Sequence, residues 1–268
     1  MDNTHDNFKT PVILGRTGLD VSRLGIASGY GAPAAAIEKA YHEYGINYFL
    51  WSTPRNLKMG TALKTLAKTE REKMVIVLQS YDHSGFLTPR GVNKGLKALN
   101  IDYADVLLLG WYNYYPKRVI QTALELKEQG KIRFIAMSGH KRKLFGKLAG
   151  DPSCPIDIFM IRYNAVHRGA EKDIFPFLPR ENRPGITIYT ATCWRKLLKE
   201  KKMPPGEKPL TAADCYRFVL SNPNVDLCLT GPASMEQMEQ GMKALEQGPL
   251  STEEMKRIGR IGDYIYKH

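Results

Sequence analysis

The sequence predicts an α/β fold, a closed (β/α)8 TIM barrel, on three observations. Eight short β-branched or leucine-rich runs alternate with helical patterns over nearly the whole chain, as in a parallel sheet with helical crossovers. The length, 268 residues, is near the about 250 typical of such barrels. No G-x-G-x-x-G turn follows the first strand, which argues against an open doubly wound sheet, the alternative that the same alternation allows. With no linker or internal repeat, one barrel domain over residues 1–268 is expected.

The elements follow in order. Strand one is read at 24–28, and the first helix runs from Ala34 to Tyr44 with Gly45 as its C-terminal cap. Strand two covers 47–51, its helix 57–66, and strand three the apolar run 74–79, a pattern that suits a strand covered on both faces. The next helix starts near Pro89, with Thr88 as the expected cap and proline at its first position, and ends near Leu99. Strand four is 105–109, the helix 116–129 ends at Gly130, and strand five is 133–137. A basic helix leads to strand six at 158–162, strand seven is 186–190 and strand eight 227–229. Two helices close the chain, about 235–246 and 252–266, the second capped by Ser251.

Composition limits the partners. Hydrophobic content of 43% and charged content of 25% are ordinary globular values and allow a full core without staples. The cysteines Cys154, Cys193, Cys215 and Cys228 form no C-x-x-C pair, which favours a reduced, cytoplasmic protein over a disulfide scaffold. The first ten residues lack the apolar core of a signal peptide, and no apolar run approaches the ~18 residues of a membrane span, so a membrane partner is not expected. The net charge of +12 gathers at 140–143 and 195–202 without any zinc-finger, homeodomain or RNA-recognition signature. Nucleic acid is therefore not the expected partner; an anionic small molecule is, beside the plainer reading of a solvated basic surface.

Several segments, in the right order, resemble the aldo-keto reductase superfamily. They are LGRTGLDVSRLG at 14–25, GINYF at 45–49, LKEQGKIRFI at 126–135, YNAVHR at 163–168 and LSNPNV at 220–225. The resemblance implies an aldo-keto reductase barrel and carbonyl reduction by four side chains: a proton-donating Tyr, a Lys that lowers its pKa, an Asp that holds the Lys, and a His that orients the substrate. Those positions fall on Arg55, Gln79, Leu50 and Gly110, so all four differ. The family's nicotinamide contacts fall on Ser138, Gly139, Met160 and Ala191, of which only the serine is kept. The segment TGPASMEQ at 230–237 resembles the loop and helix start that hold the adenosine phosphate, which assigns Gly231, Ser234 and Gln237 to cofactor binding. No cofactor is expected as a fixed component, and NADP is expected to bind weakly, without an ordered ring, or not at all.

Barrel sites lie at the C-terminal strand ends. The candidate catalytic groups there are Arg55, Gln79, Tyr81, His140 and Arg162, and the candidate substrate-binding residues are Trp51, Trp111, Asn164 and Trp194. Arg55 reads as an anion clamp or a surface arginine. His83 and His140 read as acid–base groups or ordinary loop histidines. Arg162, at the end of a buried strand, needs a partner, either a ligand carboxylate or an internal acid such as Glu171. Trp51 and Trp111 read as ligand contacts or as caps on the core. No His, Asp, Glu or Cys set has metal-ligand spacing. Three functions fit: a rebuilt site acting on an anionic or aromatic small molecule by atypical, non-redox chemistry; an NADPH-dependent oxidoreductase with a displaced acid such as Tyr81 or His140; and a non-catalytic binding or regulatory protein. The first is preferred, because a polar, cationic and aromatic rim stands where a decayed site would carry small or random side chains.

Overall fold

The computed structural model describes residues 7–52 and 57–268; Arg55 lies outside the described residues. An antiparallel hairpin, β1 (Val12–Ile13) and β2 (Asp20–Val21), comes first. The barrel strands are β3 (Leu24–Ala27), β4 (Tyr48–Trp51), β5 (Val75–Ser80), β6 (Ala104–Leu109), β7 (Ile132–Gly139), β8 (Ile158–Arg162), β9 (Gly185–Tyr189) and β10 (Leu227–Thr230). They pair in parallel, and β10 closes on β3. The eight-stranded barrel expected from the alternation is present.

Helices α1 (Ala34–Tyr44), α2 (Leu57–Glu70), α3 (Thr88–Leu99), α4 (Lys117–Glu128), α5 (Arg142–Ala149) and α6 (Ala170–Asp173) follow β3 to β8 in turn. They are joined by α7 (Ala212–Leu220), α8 (Met235–Gln247) and α9 (Thr252–Lys267). Helix α7 falls where the sequence reading places none; Thr211 and Asp214 close a capping box at its start. Thr88 is the first residue of α3 rather than its cap. The carboxylate of Asp82 accepts from the backbone N–H groups of Leu87 and Thr88 at 2.7 and 2.8 Å.

Strand parity divides the core in two. Tyr48, Leu50, Val75, Val77, Val106, Leu108, Ala136, Ile158, Met160, Leu227 and Leu229 fill the barrel interior. Phe49, Trp51, Ile76, Leu78, Leu107, Leu109, Phe159, Ile161, Ile186 and Ile188 face the helix layer. The hairpin plugs the N-terminal end, with Leu14, Leu19 and Val21 joined to the interior cluster. Gly15 makes that plug possible: its φ is +49°, and a Cβ there would meet the backbone nitrogen of Gly185 at 2.3 Å.

Three aspartates tie this N-terminal end together. Asp105 accepts from Ile76 N and pairs with Arg71 and Arg133. Asp157 accepts from Ile135 N and lies beside Arg16 and Lys127. Asp226 accepts from Ile186 N and pairs with Arg183. Each carboxylate accepts from an N–H of the neighbouring strand and has at least one cation within reach. Among the described residues no helix is long and apolar enough to cross a membrane.

Candidate functional site

The parity that fills the barrel brings Gln79, Gly110, Ser138, Arg162 and Tyr189 inward at the C-terminal strand ends. A cavity of about 1070 Å³ opens above them. Tyr30, Tyr81, Trp111, Tyr189 and Trp194 supply its aromatic walls, and His140, Arg195 and Lys243 its basic groups. It runs from Gln79 and Ser138 past Trp194 to Gly231 and Gln237 at the start of α8.

Of the positions that the resemblance assigns to catalysis, Gln79 lines the cleft, while Leu50 is apolar and the space at Gly110 is filled. Leu50 is buried among interior residues at the end of β4. At Gly110 a Cβ would meet ring carbons of Tyr81 at 2.7 Å, so that phenol ring stands where a side chain from residue 110 would project. Tyr81 also meets Trp111 edge to face, with ring centroids 5.3 Å apart. Gly139 is tighter still, since a Cβ would lie 2.0 Å from the carbonyl oxygen of Tyr112. An amide-bearing side chain has no room there.

His140 and Tyr189 form a polar contact in the cleft. The phenol oxygen of Tyr189 and Nδ1 of His140 are 3.1 Å apart. Burial, then the Arg162 charge, holds the His140 imidazole below its ordinary pKa. Burial pushes the Tyr189 phenol up to about 12, against the opposing pull of Arg162. Arg162 itself lines a small pocket behind His140 with Arg142 and Phe145, and its guanidinium lies 5.5 Å from the Trp194 ring centre. Glu171, the acid expected to pair with it, accepts instead from the Tyr163 hydroxyl.

The wall after β9 is built on unusual backbone. Thr190, Cys193, Trp194 and Arg195 all have positive φ, as does Trp111 across the cleft. Such conformations in non-glycine residues cost about 1–3 kcal/mol each and persist where surrounding contacts dictate them. Those contacts come from the loop after β8. The Asn164 amide donates to Thr190 O, and its oxygen accepts from the N–H groups of Val166 and His167. His167 lies 3.7 Å from the Cys193 sulfur and meets Trp194 edge to face. Burial, helped by Arg162, Lys196 and Arg142, lowers the His167 pKa to about 4.

Several expected roles change. Trp51 does not line the cleft: it has the parity of Phe49, is buried, and packs on Gly60 of α2. Asn164 is fully buried and positions the loop rather than meeting a ligand. Arg162 has inward parity but lines the small pocket beside His140 rather than the main cleft. Ser234 caps α8 by accepting from Gln237 N, and does not line the cleft, whereas Gly231 and Gln237 do. His83 is held to the Gly110 carbonyl and stacks on Tyr112. Gln79, Tyr81, Trp111, His140 and Trp194 do line the cleft. Tyr189 is the residue the sequence reading passed over; period-two counting along β9 from Gly185 points it inward.

A nicotinamide fits this site only in part. Tyr189 offers a ring to stack on two residues before Ala191, but Gly139 and Met160 offer no amide for a carboxamide. The far end, with Gln237, Lys243 and the first turn of α8, suits a phosphate. Among the described residues no group of His, Cys, Asp and Glu is placed to hold a metal ion.

The profile of the aldo/keto reductase family matches residues 34–201. No curated protein matches the sequence significantly. Among solved structures, an aldo/keto reductase from Klebsiella pneumoniae in complex with NADP and acetate superposes with a TM-score of 0.77, at 19% identity over 95% of this chain and 96% of that one. The holo form of an aldo-keto reductase from Bacillus halodurans gives a TM-score of 0.76, at 20% identity over 94% and 96%.

Proposed function

This chain belongs to the aldo/keto reductase family, and from that premise we propose that its barrel mouth is a rebuilt site for an anionic, ring-bearing small molecule, acted on without the family's reductive side chains. One observation carries the reading. The cleft holds aromatic walls with the cations Arg195 and Lys243, and neighbouring groups have closed over the gaps at Gly110 and Gly139. Aromatic faces bind flat rings, and a concave basic mouth favours carboxylates and phosphates.

Titration with phenylpyruvate and with its neutral analogue phenylacetone tests this, followed by the fluorescence of Trp111 and Trp194. A charge-assisted contact is worth roughly 1.5–3 kcal/mol, so phenylpyruvate is expected to bind at least about tenfold tighter. Equal affinity, or no binding of either, contradicts the reading.

A second reading, an NADPH-dependent oxidoreductase with Tyr81 as a displaced acid, is favoured by the Tyr81 ring over Gly110 and by the length of the cleft. NADP accompanies the Klebsiella pneumoniae protein. On the preferred reading NADPH binds weakly and its ring stays disordered. A micromolar complex with an ordered nicotinamide would move the assignment to this second function.

A further inference from the structure

We propose that Tyr189 and His140 are a proton-transfer pair that tautomerises a ring-bearing 2-oxo acid held in the cleft. The proposal rests on the reading of the cleft as an anionic-ligand site and adds a reaction to it. Its basis is geometric. The two groups meet at 3.1 Å, and both line the cavity. Tyr189 reaches inward from the end of β9, while His140, at the end of β7, is exposed to solvent on its other side. That gives the pair an inner end facing a ligand and an outer end that exchanges protons with water.

The charged neighbourhood suits an enolate. The groups that face the pair electrostatically are Arg162 from β8 and Tyr81 from the loop after β5, and neither is a carboxylate. Arg162 adds positive potential where negative charge grows on an enolising oxygen. It also favours a neutral His140, which burial favours too, so the imidazole is free to accept a proton near neutral pH while the phenol keeps its own.

The step balances without a redox partner. With the imidazole proton on Nδ1, Tyr189 donates its phenolic proton to the ligand's keto oxygen and recovers one from Nδ1. A water hydrogen-bonded to Nε2 takes the proton from the carbon next to the keto group and passes one of its own to Nε2. The C–H electron pair becomes the enol double bond, and the carbonyl π pair forms the new O–H bond. His140 ends as the other tautomer, and return through water resets it.

Phenylpyruvate in D2O is the probe, with deuterium uptake at its benzylic carbon followed by NMR and binding followed by tryptophan fluorescence. The native protein is expected to speed uptake above the buffer rate. Tyr189→Phe and His140→Gln are each expected to lose about 100-fold of that acceleration, with dissociation constants within about threefold of the parent and unchanged melts. Phenylglyoxylate, which has no hydrogen on the neighbouring carbon, is expected to compete for the cleft and suppress uptake. The proposal is overturned if bound phenylpyruvate exchanges no faster than in buffer, if either variant keeps the rate, or if phenylglyoxylate binds without suppressing uptake. Absence of phenylpyruvate binding overturns the cleft reading itself and the proposal with it.

Discussion

The two ends of the barrel treat charge in opposite ways. At the N-terminal end Asp105, Asp157 and Asp226 each satisfy a strand N–H and meet a cation. At the C-terminal end His140, Arg195 and Lys243 line an open cleft beside exposed tryptophans, on backbone with positive φ. One end spends its polar groups on one another and the other leaves them available. Barrels generally keep stability and function apart in this way, and here the division is visible residue by residue.

The largest expected effect is at the base. Asp105→Ala strips one strand N–H and two arginines of a buried carboxylate, a loss of about 3–5 kcal/mol and at least about 6 °C in Tm. Urea and thermal unfolding check it. A loss below about 1 kcal/mol would show that the base network is ornamental.

The two glycines at the mouth come next. Gly139→Ala drives a Cβ against the backbone carbonyl of Tyr112 and is expected to destabilise by about 1–3 kcal/mol. Gly110→Ala meets the Tyr81 ring, which is 53% exposed, and the Ser80 carbonyl oxygen no closer than 3.1 Å, so a smaller loss of about 1 kcal/mol is expected. Equal melting shifts for the pair would show that the two gaps are closed with similar rigidity.

Much of this was legible in the sequence. The run of strands and helices, with Gly45 and Ser251 as caps, gives the barrel, because period and capping are local properties. The site was legible in its chemistry but not in its directions. Trp51 and Tyr189 show why: one residue of parity decides whether a strand-end side chain faces the core layer or the mouth. Asn164 and Asp82 were hidden for another reason. Their roles lie in backbone groups several residues away, which spacing alone does not reveal.

His167 gives a pH test of the same comparison. Its pKa is lowered to about 4 in the folded chain, from an ordinary value near 6.5, so the unfolded chain holds more protons between those values. The stability it contributes is fully present above pH 6.5 and is lost as pH falls toward 4. Melting His167→Gln beside the parent from pH 4 to 7 should give a difference that narrows with acidity. A constant difference would show that the imidazole does not titrate in this window.

The most direct measurement of the central claim, that the mouth is built for a ligand and the base for stability, is a paired reading of Tm and phenylpyruvate affinity. Trp194→Gly removes a ring that is 55% exposed and relieves a positive φ, so its Tm is expected to hold or rise slightly while affinity falls about tenfold. Arg133→Ala at the base is expected to lower Tm and leave affinity unchanged. If Trp194→Gly loses Tm and keeps its affinity, the mouth is structural and the account fails.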